Sequence, residues 1–179
     1  MKVYKNSIIQ DYEELKKIAE AHRALGHKVV CTVGSWDMLH IGHLRYLIKA
    51  KEQGDILIVG VDSDRGIKLY KKNELRPVIP QDERMEMLKY QECVDYITLV
   101  DDIDDDGKWQ YKLIDAIKPD VFVTTCDSYP DEQIKEIKMY SGDVLAFPRQ
   151  AEKTSTTDII ERMIKKHLEA VLRNVTKKA

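Results

Sequence analysis

The chain is poor in cysteine, proline and glycine, with three, five and eight of them among 179 residues. Cys31, Cys93 and Cys126 are odd in number, far apart and without C-x-x-C spacing, which argues against a disulfide framework or a zinc site and predicts buried free thiols. The net charge is only −2, so the chain has no general attraction for nucleic acid. No apolar run approaches the roughly 18 residues that span a bilayer, and the first 15 residues lack the apolar segment of a secretory signal. We therefore expect a cytoplasmic protein that binds neither nucleic acid nor membrane.

Hydrophobic residues make up 43% of the chain, which is ample for one core, and they are arranged in two alternating patterns. Short apolar, β-rich runs occupy residues 28–33, 55–61, 94–100, 120–125 and 143–147, and helical patterns occupy 11–25, 41–53, 80–92, 109–118 and 156–172. Nearly continuous apolar strands suit a parallel sheet that is covered on both faces. The alternation predicts an α/β fold: a single doubly wound domain with a parallel five-stranded sheet flanked by helices.

Residues 1–179 are therefore expected to form one domain, with an N-terminal helical extension over 1–27 and a C-terminal helix over 154–179. The charged stretch 62–79 lacks a clear period, and we expect it to be an irregular lid that is mobile without ligand.

Chemistry is expected where the first strand ends, because open α/β sheets bind ligands beyond the carboxyl ends of their strands. Gly34 permits a sharp turn out of the sheet there. His40 and His43 follow at a helix start, where their rings can project from one turn, and Gly42 between them leaves space against the backbone. Two imidazoles, free amides and a positive helix end together suit a polyphosphate.

The segment GSWDMLHIGHLRYL (34–47) resembles the signature of the H-x-G-H nucleotidyltransferases of cytidylyltransferase type, with Trp36 in place of the usual Phe. The segments VGVDSD (59–64), RPVIPQDERMEMLKYQECVDYI (76–97) and TSTTDIIERMI (154–164) resemble three further motifs of that family, in the same order. The resemblance covers nearly the whole chain. Within the family the chain is most similar to the adenylyltransferase domain of ADP-heptose synthase and to glycerol-3-phosphate cytidylyltransferase.

The resemblance implies a Rossmann-like homodimer that transfers a nucleotidyl group from CTP or ATP to a phosphorylated sugar or polyol, with Mg²⁺ as cofactor and release of pyrophosphate. It assigns catalysis to His40, His43, Lys68 and Arg84. Nucleotide binding is expected from Gly34, Ser35, Trp36, Asp37, Gly42, His43, Asp127, Arg149, Ser155, Thr156 and Thr157. Acceptor binding is expected from Lys71, Lys72, Arg76 and Lys112, the last from a W-x-x-K segment. Asp37 is the expected metal ligand, and Ser155, Thr156 and Thr157 are also expected to cap the final helix.

Two other functions remain open from the sequence. One is FAD synthesis with riboflavin phosphate as acceptor, and the other is a non-catalytic nucleotide-binding module. The spacing of Asp102, Asp104, Asp106 and Gly107 superficially matches a calcium loop, but Leu113 stands where a bidentate acid is needed, so a solvated acidic loop is expected instead. The apolar stripe of the last helix is expected to pack on the domain or on a dimer partner rather than on a membrane.

Overall fold

The computed structural model describes residues 8–71, 73, 75–151 and 154–176. Its strands are β1 (Val29–Gly34), β2 (Ile56–Asp62), β3 (Tyr96–Val100), β4 (Val121–Thr125) and β5 (Asp143–Phe147). Its helices are α1 (Tyr12–Ala24), α2 (Ile41–Lys51), α3 (Asp64–Lys71), α4 (Gln81–Lys89), α5 (Lys112–Ile117), α6 (Asp131–Lys138) and α7 (Thr156–Thr176).

The five strands form one parallel sheet in the order β3-β2-β1-β4-β5. β1 pairs with β2 from Val29 opposite Ile56 to Gly34 opposite Val61, and with β4 on its other edge. The chain thus winds outward from β1 in both directions, which places a topological switch point between the carboxyl ends of β1 and β4. The predicted fold class is confirmed, and all five predicted strands are present within two residues of their expected bounds.

Two apolar layers cover the two faces of the sheet. On one face α1 and α5 pack with buried Leu15, Ile114 and Phe122. On the other, α2 and α4 contribute buried Leu47 and Leu88. The N-terminal helix therefore supplies core side chains, and it begins where the Asp11 carboxylate caps the amide of Glu13 at 2.9 Å.

Two helices were not anticipated. α3 lies inside the stretch 62–79, so the expectation of an irregular segment is wrong for residues 64–71. Gly66 obscured its pattern, since glycine weakens helix propensity. The residue suits its place because a Cβ there would lie 3.2 Å from both Ile103 Cδ1 and Ser63 Oγ. α6 spans only eight residues after Pro130, too short for a convincing period. Among the described residues, no helix is both long and apolar enough to cross a bilayer.

Candidate active site

The chain leaves β1 through a tight turn that is built around Trp36. Trp36 and Met38 both have positive φ angles, 51° and 50°. The indole of Trp36 is buried and donates from Nε1 to the carbonyl of Gly60 at 2.9 Å, so the turn is fixed to the neighbouring strand β2. Because the turn is fixed in this way, His40 lies at the N-terminus of α2.

His40 caps α2, and its ring stacks on that of His43. The His40 Nδ1 accepts a hydrogen bond from the amide of Gly42 at 3.1 Å, and the two ring centroids are 3.9 Å apart with planes inclined by 22°. The edge of Trp36 closes the other side of His43, at 5.6 Å between centroids. Both imidazoles are thus held in place before any ligand arrives.

The environment keeps this pair neutral. The pKa of His43 is lowered to about 4, mainly by burial; repulsion from a protonated His40 and from Arg76 acts in the same direction, and the Asp37 carboxylate opposes it. Burial also lowers the pKa of His40, against the opposing charge of Asp158. The buried Nδ1 of His43 has no hydrogen-bond partner among the described residues. A neutral ring with an unsatisfied nitrogen is ready to bond a polar ligand.

Gly42 is required by close packing. A Cβ at this position would lie 2.9 Å from the His40 Cε1 and 3.1 Å from the Ala151 Cβ. Any larger residue would displace the imidazole or the chain that leads into α7.

The N-terminus of α7 faces the same space and is tied to the turn after β1. Ser155 Oγ accepts from the amide of Asp158 at 3.1 Å, while the Asp158 carboxylate accepts from the Ser155 amide at 3.0 Å, a reciprocal cap. Thr156 Oγ1 is buried and donates to the carbonyl of Asp37 at 2.8 Å. Ser155 therefore caps the helix as expected, and two helix N-termini direct amides toward one cavity.

That cavity measures about 1080 Å³ and opens at the carboxyl edge of the sheet. It brings together most of the residues that the sequence assigned to the site. These are Gly34, Ser35, Trp36, His40, Gly42, His43, Lys71, Arg76, Asp127, Arg149, Ser155, Thr156 and Thr157. Its size exceeds the usual range for a single small ligand, so a nucleotide and an acceptor have room together.

Asp127 and Arg149 reach across the cavity mouth from the loops after β4 and β5. The Arg149 guanidinium donates to the Asp127 carboxylate at 2.6 Å, although both side chains are largely exposed. Desolvation would raise the pKa of Asp127, but hydrogen bonds from Arg149 and Thr125 outweigh it and lower that pKa.

Asp37 does not line the cavity. Its carboxylate is fully buried, pairs with the Arg76 guanidinium at 2.7 Å and accepts from the amides of Val78 and Ile79 at 3.0–3.1 Å. With both oxygens engaged in this way, Asp37 joins the turn after β1 to the segment before α4. That arrangement disfavours Asp37 as a metal ligand.

Arg84 is also outside the cavity lining. Its fully buried guanidinium donates to the carbonyls of Ser35, Ile79 and Asp62 and to the carboxylate of Asp64, the last two at 2.8 and 2.7 Å. Arg84 thereby joins the ends of β1 and β2 to α3 and α4. This geometry points to a structural role instead of direct phosphate contact.

Two described lysines of the expected set, Lys68 and Lys112, are not brought into the site. Lys68 and Lys112 are exposed on α3 and α5 and do not line the cavity, and Lys72 lies outside the described residues. The lysine that does line the cavity beside Trp109 is Lys108, whose Nζ lies 3.6 Å from a Glu136 oxygen. In the W-x-x-K segment, therefore, the lysine before Trp109 lines the cavity and the predicted Lys112 does not.

Four aromatic side chains form a second part of the cavity lining, here called the aromatic half, which the sequence did not reveal. Tyr70, Trp109, Tyr111 and Tyr129 line it, with Trp109 centred 4.9 Å from Tyr111 and 6.3 Å from Tyr129. The Asp62 carboxylate at the end of β2 accepts from the Tyr70 hydroxyl at 2.6 Å, and burial raises the pKa of Asp62. The four aromatic residues come from three separate segments of the chain, so no local motif predicts that they lie together.

Comparison with known proteins agrees with this geometry. A family model described as cytidylyltransferase-like matches residues 31–162. Two proteins named bifunctional protein HldE are similar. That of a Nitratiruptor species is 38% identical over 160 residues, covering 87% of this chain and 32% of that protein. That of Wolinella succinogenes is 41% identical over 132 residues, covering 71% and 27%. The chain spans about a third of the length of these curated relatives.

Solved structures support the fold. The lipopolysaccharide core biosynthesis protein from Thermoplasma volcanium GSS1 matches with a TM-score of 0.56 and 23% identity, covering 69% of this chain and 98% of that one. Pantoate-beta-alanine ligase from Francisella tularensis matches at 0.53 and 16% identity, covering 85% and 74%.

The family model, matched over most of a chain with a parallel sheet and a switch-point cavity, identifies a nucleotidyltransferase domain. The chain belongs to the cytidylyltransferase-like family, as the resemblance implied.

Proposed function

We propose that the protein transfers a nucleoside monophosphate from ATP or CTP to a phosphorylated sugar or polyol and releases pyrophosphate. The observation that carries the proposal is the stacked, neutral His40–His43 pair facing the start of α7 across a cavity with room for two ligands. The resemblance to the adenylyltransferase domain of ADP-heptose synthase, together with the HldE relatives, favours ATP as donor and a heptose 1-phosphate as acceptor.

In this reaction a phosphate oxygen of the acceptor attacks the α-phosphorus of the nucleotide. The bond from that phosphorus to the bridging oxygen breaks, and pyrophosphate leaves with the bonding electrons. Such transfers depend on positioning and charge stabilisation more than on covalent chemistry. The N–H groups of His40 and His43 donate to the oxygens that gain charge, and the amides at the starts of α2 and α7 add fixed dipoles.

The cationic groups at the cavity are suited to hold the two anionic substrates. Arg76 and Lys71 line the cavity in the segment after β2, Arg149 lies at its mouth, and Lys108 lies beside the aromatic half. We assign Lys108 to the acceptor phosphate in place of Lys112, because the side chain of Lys112 lies outside the lining.

Nucleotidyltransferases of this kind typically use a divalent metal, and we retain Mg²⁺ as the proposed cofactor. Among the described residues there is no group of three or more histidine, cysteine, aspartate or glutamate side chains that would hold a metal alone. Mg²⁺ is often bound by one or two carboxylates and substrate phosphates, which fits such a site. Asp158, which lines the cavity and acts electrostatically on His40, is the candidate carboxylate. Bound Mg²⁺ would neutralise charge on the triphosphate.

The test is a pyrophosphate-release assay with each of the four nucleoside triphosphates and Mg²⁺, against heptose 1-phosphate, glycerol 3-phosphate and riboflavin phosphate. We expect turnover with ATP or CTP and a sugar or polyol phosphate. His43→Asn should lower kcat by about 10²-fold or more, as loss of other electrostatic donors does. His27→Asn, at an exposed histidine outside the cavity lining, is the matched control.

The outcomes separate the alternatives. Turnover of riboflavin phosphate alone would establish FAD synthesis. Calorimetric binding of a nucleotide without turnover of any acceptor would favour a non-catalytic module. Failure of every nucleotide to bind, or full activity in His43→Asn, would refute the proposed site. The homodimer implied by the family resemblance is a separate proposal, which light scattering of the purified protein tests.

A further inference from the structure

The acid-rich loop between β3 and α5 is solvated at Asp105 and Asp106, as expected, but Asp102 is buried and organises the loop around itself. Asp102 is only 9% exposed. Its Oδ2 accepts hydrogen bonds from the Trp109 indole Nε1 at 3.0 Å and from the amide of Lys112 at 2.6 Å. Asp104 closes the tip by accepting from the amide of Lys108 at 2.8 Å. The loop therefore folds back on itself, with Ile103 bridged to Trp109 in antiparallel fashion.

We propose that Asp102 is a positioning residue for the acceptor, which acts by holding Trp109 as the wall of the aromatic half of the cavity. Tyr12 of α1 supports it from behind. The inference rests on the proposed function for the identity of the substrate that this wall contacts, but its structural part stands on the contacts themselves.

Trp109 has few other ways to keep its orientation. It is 7% exposed and lies among Tyr111, Phe122 and Tyr129, whose ring centroids are 4.9, 6.0 and 6.3 Å away. Such ring contacts tolerate rotation, whereas a buried indole N–H requires an acceptor in one direction. The Asp102 carboxylate is that acceptor, and it therefore fixes the orientation of the indole. Because the same oxygen accepts from the first amide of α5, it fixes the ring relative to a helix of the core.

α1 takes part through a single hydroxyl. Tyr12 Oη shares its one proton between two acceptors, the carbonyl of Leu99 at 2.9 Å and the Asp102 Oδ1 at 3.3 Å. Burial raises the pKa of Asp102, and the hydrogen bonds from Lys112, Tyr12 and Trp109 oppose that rise. Both oxygens of the Asp102 carboxyl group thus have hydrogen-bond partners. Through them α1 is connected, by way of Tyr12 and Asp102, to Trp109 in the cavity wall.

The first experiment needs no acceptor. Trp36→Phe leaves Trp109 as the sole tryptophan, since the chain has two. In that background Asp102→Ala should shift Trp109 emission to longer wavelength and increase its quenching by acrylamide. Asp102→Asn keeps an oxygen acceptor and should restore the original spectrum. Asp105→Ala, at an exposed acid of the same loop, is the matched control and should leave the spectrum unchanged.

The second experiment measures kinetics in the otherwise unaltered protein, with ATP and heptose 1-phosphate, or with glycerol 3-phosphate where heptose 1-phosphate is not turned over. Asp102→Ala should raise the acceptor KM by about tenfold with little change in kcat or in the KM for ATP, because it weakens binding equally in the ground and transition states. Asp102→Asn should recover most of the loss. If Asp102→Ala does not fold, Tyr12→Phe takes its place as the test variant. It removes only the hydroxyl and should raise the acceptor KM by about threefold.

Equal rises in both KM values, or an unaltered Trp109 spectrum in Asp102→Ala and Tyr12→Phe, would overturn the proposal and leave Asp102 a purely structural residue. If the wild-type protein turned over no acceptor while Trp109 emission shifted as expected, the proposed function would fail and the positioning of Trp109 by Asp102 would stand.

Discussion

Replacing Arg84 distinguishes a structural arginine from a phosphate-binding one. In Arg84→Met the side chain keeps much of its length but loses every hydrogen-bond donor. The carbonyls of Ser35, Ile79 and Asp62 and the carboxylate of Asp64 are then left without this partner. Each buried acceptor left without a partner costs about 1–3 kcal/mol, and removing one partner of a buried ion pair costs about 3–5 kcal/mol. Asp64 is 34% exposed and can rehydrate, so we expect a total loss of about 4 kcal/mol.

Urea unfolding followed by circular dichroism measures this loss. In a chain of this size about 4 kcal/mol corresponds to a fall in Tm of roughly 8–16 °C. Arg65→Met is the matched control, because Arg65 is 47% exposed in its pair with Asp101 and such surface pairs contribute about 1 kcal/mol or less.

The opposite pattern would refute the reasoning. A stability within about 1 kcal/mol of the wild type, together with a tenfold or larger rise in the Kd for ATP, would show that Arg84 turns toward phosphate when nucleotide binds. The result would then restore the role that the family resemblance assigned to it.

Three further predictions concern His43, Gly42 and the two lysines near Trp109. The folded-state pKa of His43 of about 4 lies below the unfolded value of 6.5, so the unfolded chain binds more protons between these pH values. Stability should therefore be complete above pH 6.5 and fall by about 3 kcal/mol toward pH 4, and His43→Asn should flatten this slope in urea titrations at several pH values. Gly42→Ala should lower kcat by about 10²-fold through displacement of the His40 ring, with Tm nearly unchanged; normal kcat would show that the stack tolerates a methyl group. Lys108→Ala should raise the acceptor KM in steady-state assays, while Lys112→Ala should not; the reverse result would reinstate the W-x-x-K assignment.

The contiguous motif was the part of the site that sequence could predict. A strand, a glycine and two histidines at i and i+3 on a helix start predict that the rings of His40 and His43 project from one turn. That the two rings stack was seen only in the structure. The order of apolar strands and helices likewise determined the doubly wound sheet, because each strand is buried on both faces and reads as a continuous apolar run.

Long-range pairing was not predictable in the same way. An arginine that binds phosphate and one that bonds three carbonyls have the same local sequence, and only the approach of β1, β2 and α3 makes Arg84 the second kind. The lysine in the W-x-x-K segment was misplaced because Tyr111 adopts a left-handed conformation, with φ 59°, between Trp109 and Lys112. The chain bends at Tyr111 as it enters α5. The side chains of Trp109 and Lys112 therefore do not both face the cavity, although their spacing suggests that they would.

Asp37 has a mechanical consequence for the site as a whole. Its carboxylate receives Arg76 and the amides of Val78 and Ile79, while its carbonyl receives Thr156, so three segments separated by up to 119 residues bear on one buried residue. Thermal displacement of the turn after β1 carries the start of α7 and the segment before α4 with it. The groups that we propose to bind the triphosphate are then expected to move together, so that the distances between them vary less than their positions. The relative positions of these groups therefore depend on their shared contacts with Asp37 more than on the stiffness of each loop.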